Sequence, residues 1–211
     1  LRQLSTRLDG AKDELDLENT IDQTCRNAGY LKIVWTRPRK NTVKVILLMD
    51  IGGSMTPFAR ICSRLFSAVH KSANFKDLKF YYFHNCIYDL LYNDAAINPK
   101  KAAKTEDILS SLSSDYKIVI VGDAAMAPSE LLMPDGIIYW DSVNDEPGIT
   151  WLQRLAKKFP YCVWLNPIRE QDWESIYGFE TIKMVRDIFP MYELTLKGLD
   201  QAIKKLMVKN S

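Results

Sequence analysis

The stretch that most constrains how this chain can fold is residues 43–56, VKVILLMDIGGSMT. Val43, Val45, Ile46, Leu47 and Leu48 make a short, nearly unbroken apolar run rich in β-branched residues. That is the pattern of a parallel strand covered on both faces by helices. The run stops at Asp50, which therefore stands at the carboxyl end of the strand. Gly52 and Gly53 can adopt backbone angles closed to other residues, which lets the chain turn sharply out of a sheet. Thr56 followed by Pro57 reads as a helix N-cap with proline at the first helical position. In open α/β sheets ligands settle outside the carboxyl ends of the strands, so a carboxylate and a hydroxyl in this turn form a candidate site.

The rest of the chain repeats the alternation. A polar start leads to a helix over residues 16–27, with Leu17, Ile21, Thr24 and Cys25 on one face and Gly29 just past its end. Residues 31–35 read as a short strand, and residues 37–41 as a basic connector interrupted by Pro38. After the glycine turn, Phe58, Ile61, Cys62, Leu65, Phe66 and Val69 recur at helical spacing over residues 57–72. Residues 78–83 and 87–92 are too close to be joined by a crossover and so predict an antiparallel hairpin. Thr105, followed by Glu106 and Asp107, is a good helix start, because first-turn amides and the macrodipole favour hydroxyls and acids there. Residues 118–121 form a second buried strand, again ending in a glycine and a carboxylate, Gly122 and Asp123. A short helical segment over 129–133, an extended one over 136–140, a helix from Pro147 to 159 and a strand over 161–165 follow. Helical stretches from Asp172, over 179–189 and over 195–208 close the chain.

Strands alternating with helices imply a three-layer α/β fold with a mostly parallel sheet, one antiparallel edge strand and a helical N-terminal extension. Residues 1–41 are expected to form that extension and 42–211 the α/β domain. With 211 residues, 47% of them hydrophobic, the chain can bury a full core without disulfide or metal staples. Its 28 basic and 26 acidic residues nearly cancel, which gives no electrostatic argument for nucleic acid or a membrane surface. Acids crowd residues 9–22 and bases follow over 26–44, two solvated faces of opposite sign. The four cysteines Cys25, Cys62, Cys86 and Cys162 lie far apart, with no pair at zinc spacing, and are expected as reduced core residues of a cytoplasmic protein. No apolar run is long enough to span a membrane.

In such a sheet the turns after the two Asp-bearing strands can converge, placing Asp50, Ser54, Thr105 and Asp123 around one point. All four offer oxygen, the donor that hard cations such as magnesium prefer. The duller alternatives are that Ser54 bonds turn amides, that Thr105 is a helix cap, and that a lysine or arginine separates the two aspartates. Met55 and Met126, each just beyond a proposed ligand turn, either form an apolar rim with Gly52 and Gly53 or pack in the core.

The order Asp-x-Gly-Gly-Ser-Met on a first strand, a helix-opening Thr and a later Gly-Asp resembles the von Willebrand factor A (vWA) domain. Within that superfamily NAGYLKIVWTRPRKNTVKVILLMDIGGSM, FHNCIYD, VGDAAM and YELTLKGLDQAI look most like bacterial CoxE-like proteins. The resemblance implies a non-catalytic, cytoplasmic module that often works beside a MoxR-type AAA+ ATPase. It also implies a metal-ion-dependent adhesion site holding Mg2+, or Mn2+ or Ca2+, with one position left for an acidic side chain of a partner protein. Carried over by position, the ligands are Asp50, Ser54, Thr105 and Asp123. Gly52 departs from the pattern, which has serine there. Two other functions compete: a metal-free scaffold, and a serine hydrolase using Ser54 on a degenerate nucleophile elbow, for which only His70 and His84 are available as base.

Overall fold

The apolar run forms β1 (Lys44–Asp50), and its neighbours explain why it is so uniformly hydrophobic. Ile46 and Leu48 belong to a core cluster with Ile118, Ile120, Trp164, Leu152 and Val185. Val45 and Leu47, which point the other way, are buried as well. A strand with period-two side chains and both sets buried must be covered on both faces.

The computed structural model describes residues 6–7, 11–12, 14–36, 39–40, 43–71, 75–137 and 143–208. Most of the extended segment expected over 136–140, and part of the basic connector over 37–41, lie outside these residues. The chain divides into two compact units, Leu1–Val43 and Lys44–Ser211.

In the first unit, α1 (Leu17–Arg26) starts at Asp16, whose side chain accepts the Asn19 N–H at 3.0 Å. It is followed by Ala28 and Gly29, both at positive φ. Glu14–Leu15 pairs antiparallel with Trp35–Thr36, a shorter strand than expected over 31–35. On the apolar face of α1, Leu17, Ile21 and Cys25 are exposed, and Thr20 is the buried residue, bridging to Val34 through its hydroxyl. Cys25 is thus no core residue, whereas Cys62, Cys86 and Cys162 are buried.

The second unit is a seven-stranded sheet. After β1 come β2 (Asp77–Phe83), β3 (Leu90–Tyr92), β4 (Ala102–Lys104), β5 (Lys117–Val121), β6 (Tyr161–Asn166) and β7 (Met191–Glu193). Their spatial order is β7-β6-β5-β1-β2-β3-β4. All pairs are parallel except those made by β3, which runs against both β2 and β4. The mostly parallel α/β fold with one reversed strand is therefore present, but the reversed strand lies one in from the edge. Three-residue β4 takes the edge, in a stretch too polar to signal a strand, and β7 forms the opposite edge, also without a sequence signal. Ile87, expected in the hairpin's second strand, is instead fully buried in the turn before β3.

The helices of this unit are α2 (Ala59–Lys71), α3 (Thr105–Ser111), α4 (Pro128–Leu132), α5 (Gly148–Lys158), α6 (Phe179–Ile188) and α7 (Leu196–Lys205). Thr56 does not cap α2. A 3-10 turn, Gly53–Phe58, precedes it and contains Pro57, and the chain passes into α-helix at Ala59, whose N–H bonds the Thr56 carbonyl. Proline is tolerated there because amides at a helix start need no intrahelical partner.

Sheet order places the candidate site. The chain runs from β1 outward through β2, β3 and β4, then returns to β5 on the opposite side of β1. The carboxyl ends of β1 and β5 therefore flank the crevice where the winding direction reverses, the usual ligand position in such sheets.

Candidate functional site

Register brings the two Asp-bearing turns together. Met49 of β1 pairs with Val121 of β5, so Asp50 stands beside Gly122 and one residue from Asp123. A side chain on Gly122 would meet the Asp50 Cβ at 2.9 Å, Asp50 Oδ2 at 3.3 Å and the Trp164 ring at 3.3 Å. Glycine is needed at this position for closeness: it lets the Asp50 carboxylate lie against the neighbouring strand.

Asp50 is 2% exposed. Its Oδ1 accepts the Gly52 N–H at 2.8 Å and the Asn85 N–H at 2.9 Å. Its Oδ2 is buried and has no hydrogen-bond partner. Burial pushes the Asp50 pKa up from 3.8 to about 7; the Gly52 and Asn85 amides oppose the rise, and the nearby Asp123 and Glu130 carboxylates add to it. Asp123 is 4% exposed and its pKa is also raised, first by burial and further by Glu130, against bonds from the Ala125 N–H and the Ser54 hydroxyl. The Ala125 N–H lies 2.9 Å from Asp123 Oδ1, in a turn where Ala124 sits at φ 56°. Folding thus gathers Asp50, Ser54 and Asp123. Among the described residues no lysine or arginine forms an ion pair with either aspartate.

The remaining candidates fall differently. Thr105 is fully buried and opens α3 inside the helix; its hydroxyl donates to the Tyr88 carbonyl at 2.5 Å and its N–H to the Asp89 carbonyl at 2.8 Å. It makes no cap bond, since Lys104 holds the N-cap position. Among the described hydrogen bonds, none joins Thr105 to Asp50, Ser54 or Asp123. Met55 and Met126 are 3% and 2% exposed, so they pack in the interior and form no apolar rim. Gly52 has φ −56°, open to any residue, and Gly53 is not among the positive-φ glycines. The turn does not use their angular freedom. Gly52 leaves the space that the Asn85 amide fills, since a Cβ there would lie 1.9 Å from the Asn85 Oδ1, while Gly53 has open space around it.

Several groups at the site carried no sequence signal. Glu130, 2% exposed, lies in α4; its Oε1 accepts the Asn85 Nδ2–H at 2.9 Å and its Oε2 the Ala127 N–H at 3.1 Å. Asn85, at φ 56°, supplies the turn after β2. A layer of bonds from β6 and α6 holds the Asp123 loop. Trp164 Nε1–H donates to the Gly122 carbonyl at 2.7 Å and Asn166 Nδ2–H to the Asp123 carbonyl at 2.7 Å. The Thr181 hydroxyl donates to the Ala124 carbonyl at 2.8 Å and accepts the Met126 N–H at 3.2 Å. Gly178, at φ +84°, lets the start of α6 approach Ala125, whose Cα would lie 2.7 Å from a Cβ. A glutamate three residues after Ala127 was the one readable hint, since an acid there reaches back to the amide preceding a helix.

The side chains gathered here, Asp50, Ser54 and Asp123, offer oxygen and no soft donor. Among the described residues, no three His, Cys, Asp or Glu side chains are placed to hold a metal by themselves. Two carboxylates completed by hydroxyl, amide oxygen and water remain compatible with magnesium, which takes one or two carboxylates and keeps waters. Asp50 Oδ2, buried, unpartnered and under the influence of the Asp123 charge, is the feature that such an ion would satisfy.

Residues 2–94, a little under half of the chain, match the family described as VWA domain containing CoxE-like protein. Over that segment the chain is similar to the vWA domain of CoxE-like proteins. The matched segment carries β1, the glycine turn and Asn85; the vWA-type sheet continues beyond it to β7. No curated protein matches the chain. Among the described residues, no helix is long and apolar enough to cross a membrane.

Proposed function

We propose that this chain is a vWA-type, metal-assisted protein-binding module whose ion is held by Asp50 and Asp123, directly or through water. The observation that carries the reading is Asp50 Oδ2: buried, without a hydrogen bond, and beside two further buried carboxylates. Left alone, such a group is costly, and it either takes up a proton or a cation. Ser54, exposed and bonded to Asp123, supplies a hydroxyl at the mouth of the crevice. Buried Thr105 fixes the neighbouring turn through Tyr88. When bound, a divalent ion offers an open coordination position to an acidic side chain of a partner. The partner we expect from the family is a MoxR-type AAA+ ATPase, with the domain acting as adaptor and not as enzyme.

The test is thermal unfolding with and without millimolar Mg2+ or Mn2+. A ligand at ten times its Kd stabilises by about 1.4 kcal/mol, a rise in Tm of roughly 3–6 °C for a chain of this size. Asp50→Ala should abolish the rise. No shift in the unsubstituted protein would leave a metal-free scaffold as the better account.

A further inference from the structure

Position 52, two residues past the first aspartate, carries no side chain, and the space one would occupy is already filled. A Cβ on Gly52 would lie 1.9 Å from the Asn85 Oδ1, 3.1 Å from its Cγ and 3.2 Å from Asp50 Oδ1. The amide of Asn85 therefore occupies the volume next to the first aspartate that a residue-52 side chain would take. Its orientation is settled by chemistry. Glu130 Oε1 sits 2.9 Å from Asn85 Nδ2, and a carboxylate accepts and does not donate, so the nitrogen must face Glu130 and the oxygen must face Gly52. Glu130 is itself anchored by the Ala127 N–H, and the Asn85 backbone by Asp50. Asparagine is also among the few side chains that tolerate the φ of 56° found here.

We propose that Asn85 Oδ1 replaces the hydroxyl that Gly52 lacks, serving as a neutral oxygen ligand beside Asp50 in a divalent-cation site, with Glu130 positioning the amide. Amide carbonyl oxygens are ordinary ligands for hard cations. The second observation pointing to a ligand is the buried, unpartnered Asp50 Oδ2 of the same cluster. Gly52 and Asn85 are then a matched pair. A side chain at 52 must displace the Asn85 amide from its present place, and the amide in that place needs glycine at 52. The inference rests on the metal-binding reading above, but the two can fail separately.

Mn2+ binding to the full chain, measured by isothermal titration calorimetry, distinguishes them. Asn85→Gly removes the oxygen and keeps the positive φ; it should weaken Mn2+ about ten-fold or more, a loss of about 1.4 kcal/mol. Gly52→Ser alone should also bind poorly, because its Cβ collides with Asn85. The exchange Gly52→Ser with Asn85→Gly should bring affinity back to near that of the original protein. Unchanged binding in Asn85→Gly, or no recovery in the exchange, overturns the role of Asn85 while leaving metal binding intact. No Mn2+ binding by the unsubstituted protein overturns both. A measurement that needs no variant guards against misfolding: in 15N-labelled protein, the Asn85 side-chain amide resonance should shift on adding Mg2+. A resonance that stays in place while those of the Asp50 and Asp123 turns move overturns the proposal.

Discussion

Asp50 carries opposed demands: two amides stabilise its negative charge, while burial and two neighbouring acids disfavour it. Its folded pKa of about 7 lies above the ordinary 3.8, so between about pH 4 and pH 7 the folded protein holds a proton that the unfolded chain has released. Stability of the metal-free protein should therefore fall as pH rises through that window, by about 4 kcal/mol from this group. Asp50→Asn, denatured by urea in EDTA between pH 4 and pH 8, should show a much shallower fall and be the more stable protein at pH 8. An equally steep profile would mean that another group is responsible. At Gly122 the constraint is spatial. Gly122→Ala would press a methyl group against Asp50 and Trp164, and overpacking of this kind costs about 1–3 kcal/mol; urea midpoints compared at constant m-value measure it.

Among the elements, the Asp123 turn depends on α6 and β6, which lie far from it in sequence. The Thr181 hydroxyl serves the Ala124 carbonyl and the Met126 amide together, and both are buried. Thr181→Val keeps the shape and removes the bonds, so it should cost about 1–3 kcal/mol. On the proposed reading it should also reduce the Mg2+-induced rise in Tm, because the loop bearing Asp123 loses its tether. A destabilised protein with an undiminished metal response would show that the tether serves the fold alone. The helix start at Pro57 shows how local signals mislead: Thr-Pro has the chemistry of a cap, yet the 3-10 turn from Gly53 already supplies a helical backbone there, so no cap is formed. Thr105 misleads similarly, its hydroxyl being drawn to Tyr88 by the packing of α3 on the β3 turn.

Over the whole molecule, β1 is central, with parallel partners on both sides and two buried faces. Amide hydrogen exchange should be slowest in β1 and β5, and faster in the three-residue edge strands β4 and β7, because exchange follows burial and paired backbone. Mass-spectrometric exchange at neutral pH checks this; edge strands protected as well as β1 would contradict it.

The sequence alone determined the alternation of strands and helices, the short hairpin that reverses one strand, and two acids each closing a buried strand. These rest on local periodicity and on connections too short for a crossover, both of which are written in consecutive residues. Tertiary structure decided which turns meet, that Met55 and Met126 lie inside, that Leu17 and Ile21 lie outside, and that Glu130 and Asn85 stand beside the aspartates. It also decided what Gly52 is for, since the space it leaves is filled by a side chain 33 positions further along the chain. Such long-range contacts follow from strand order and register, and no run of neighbouring residues encodes them.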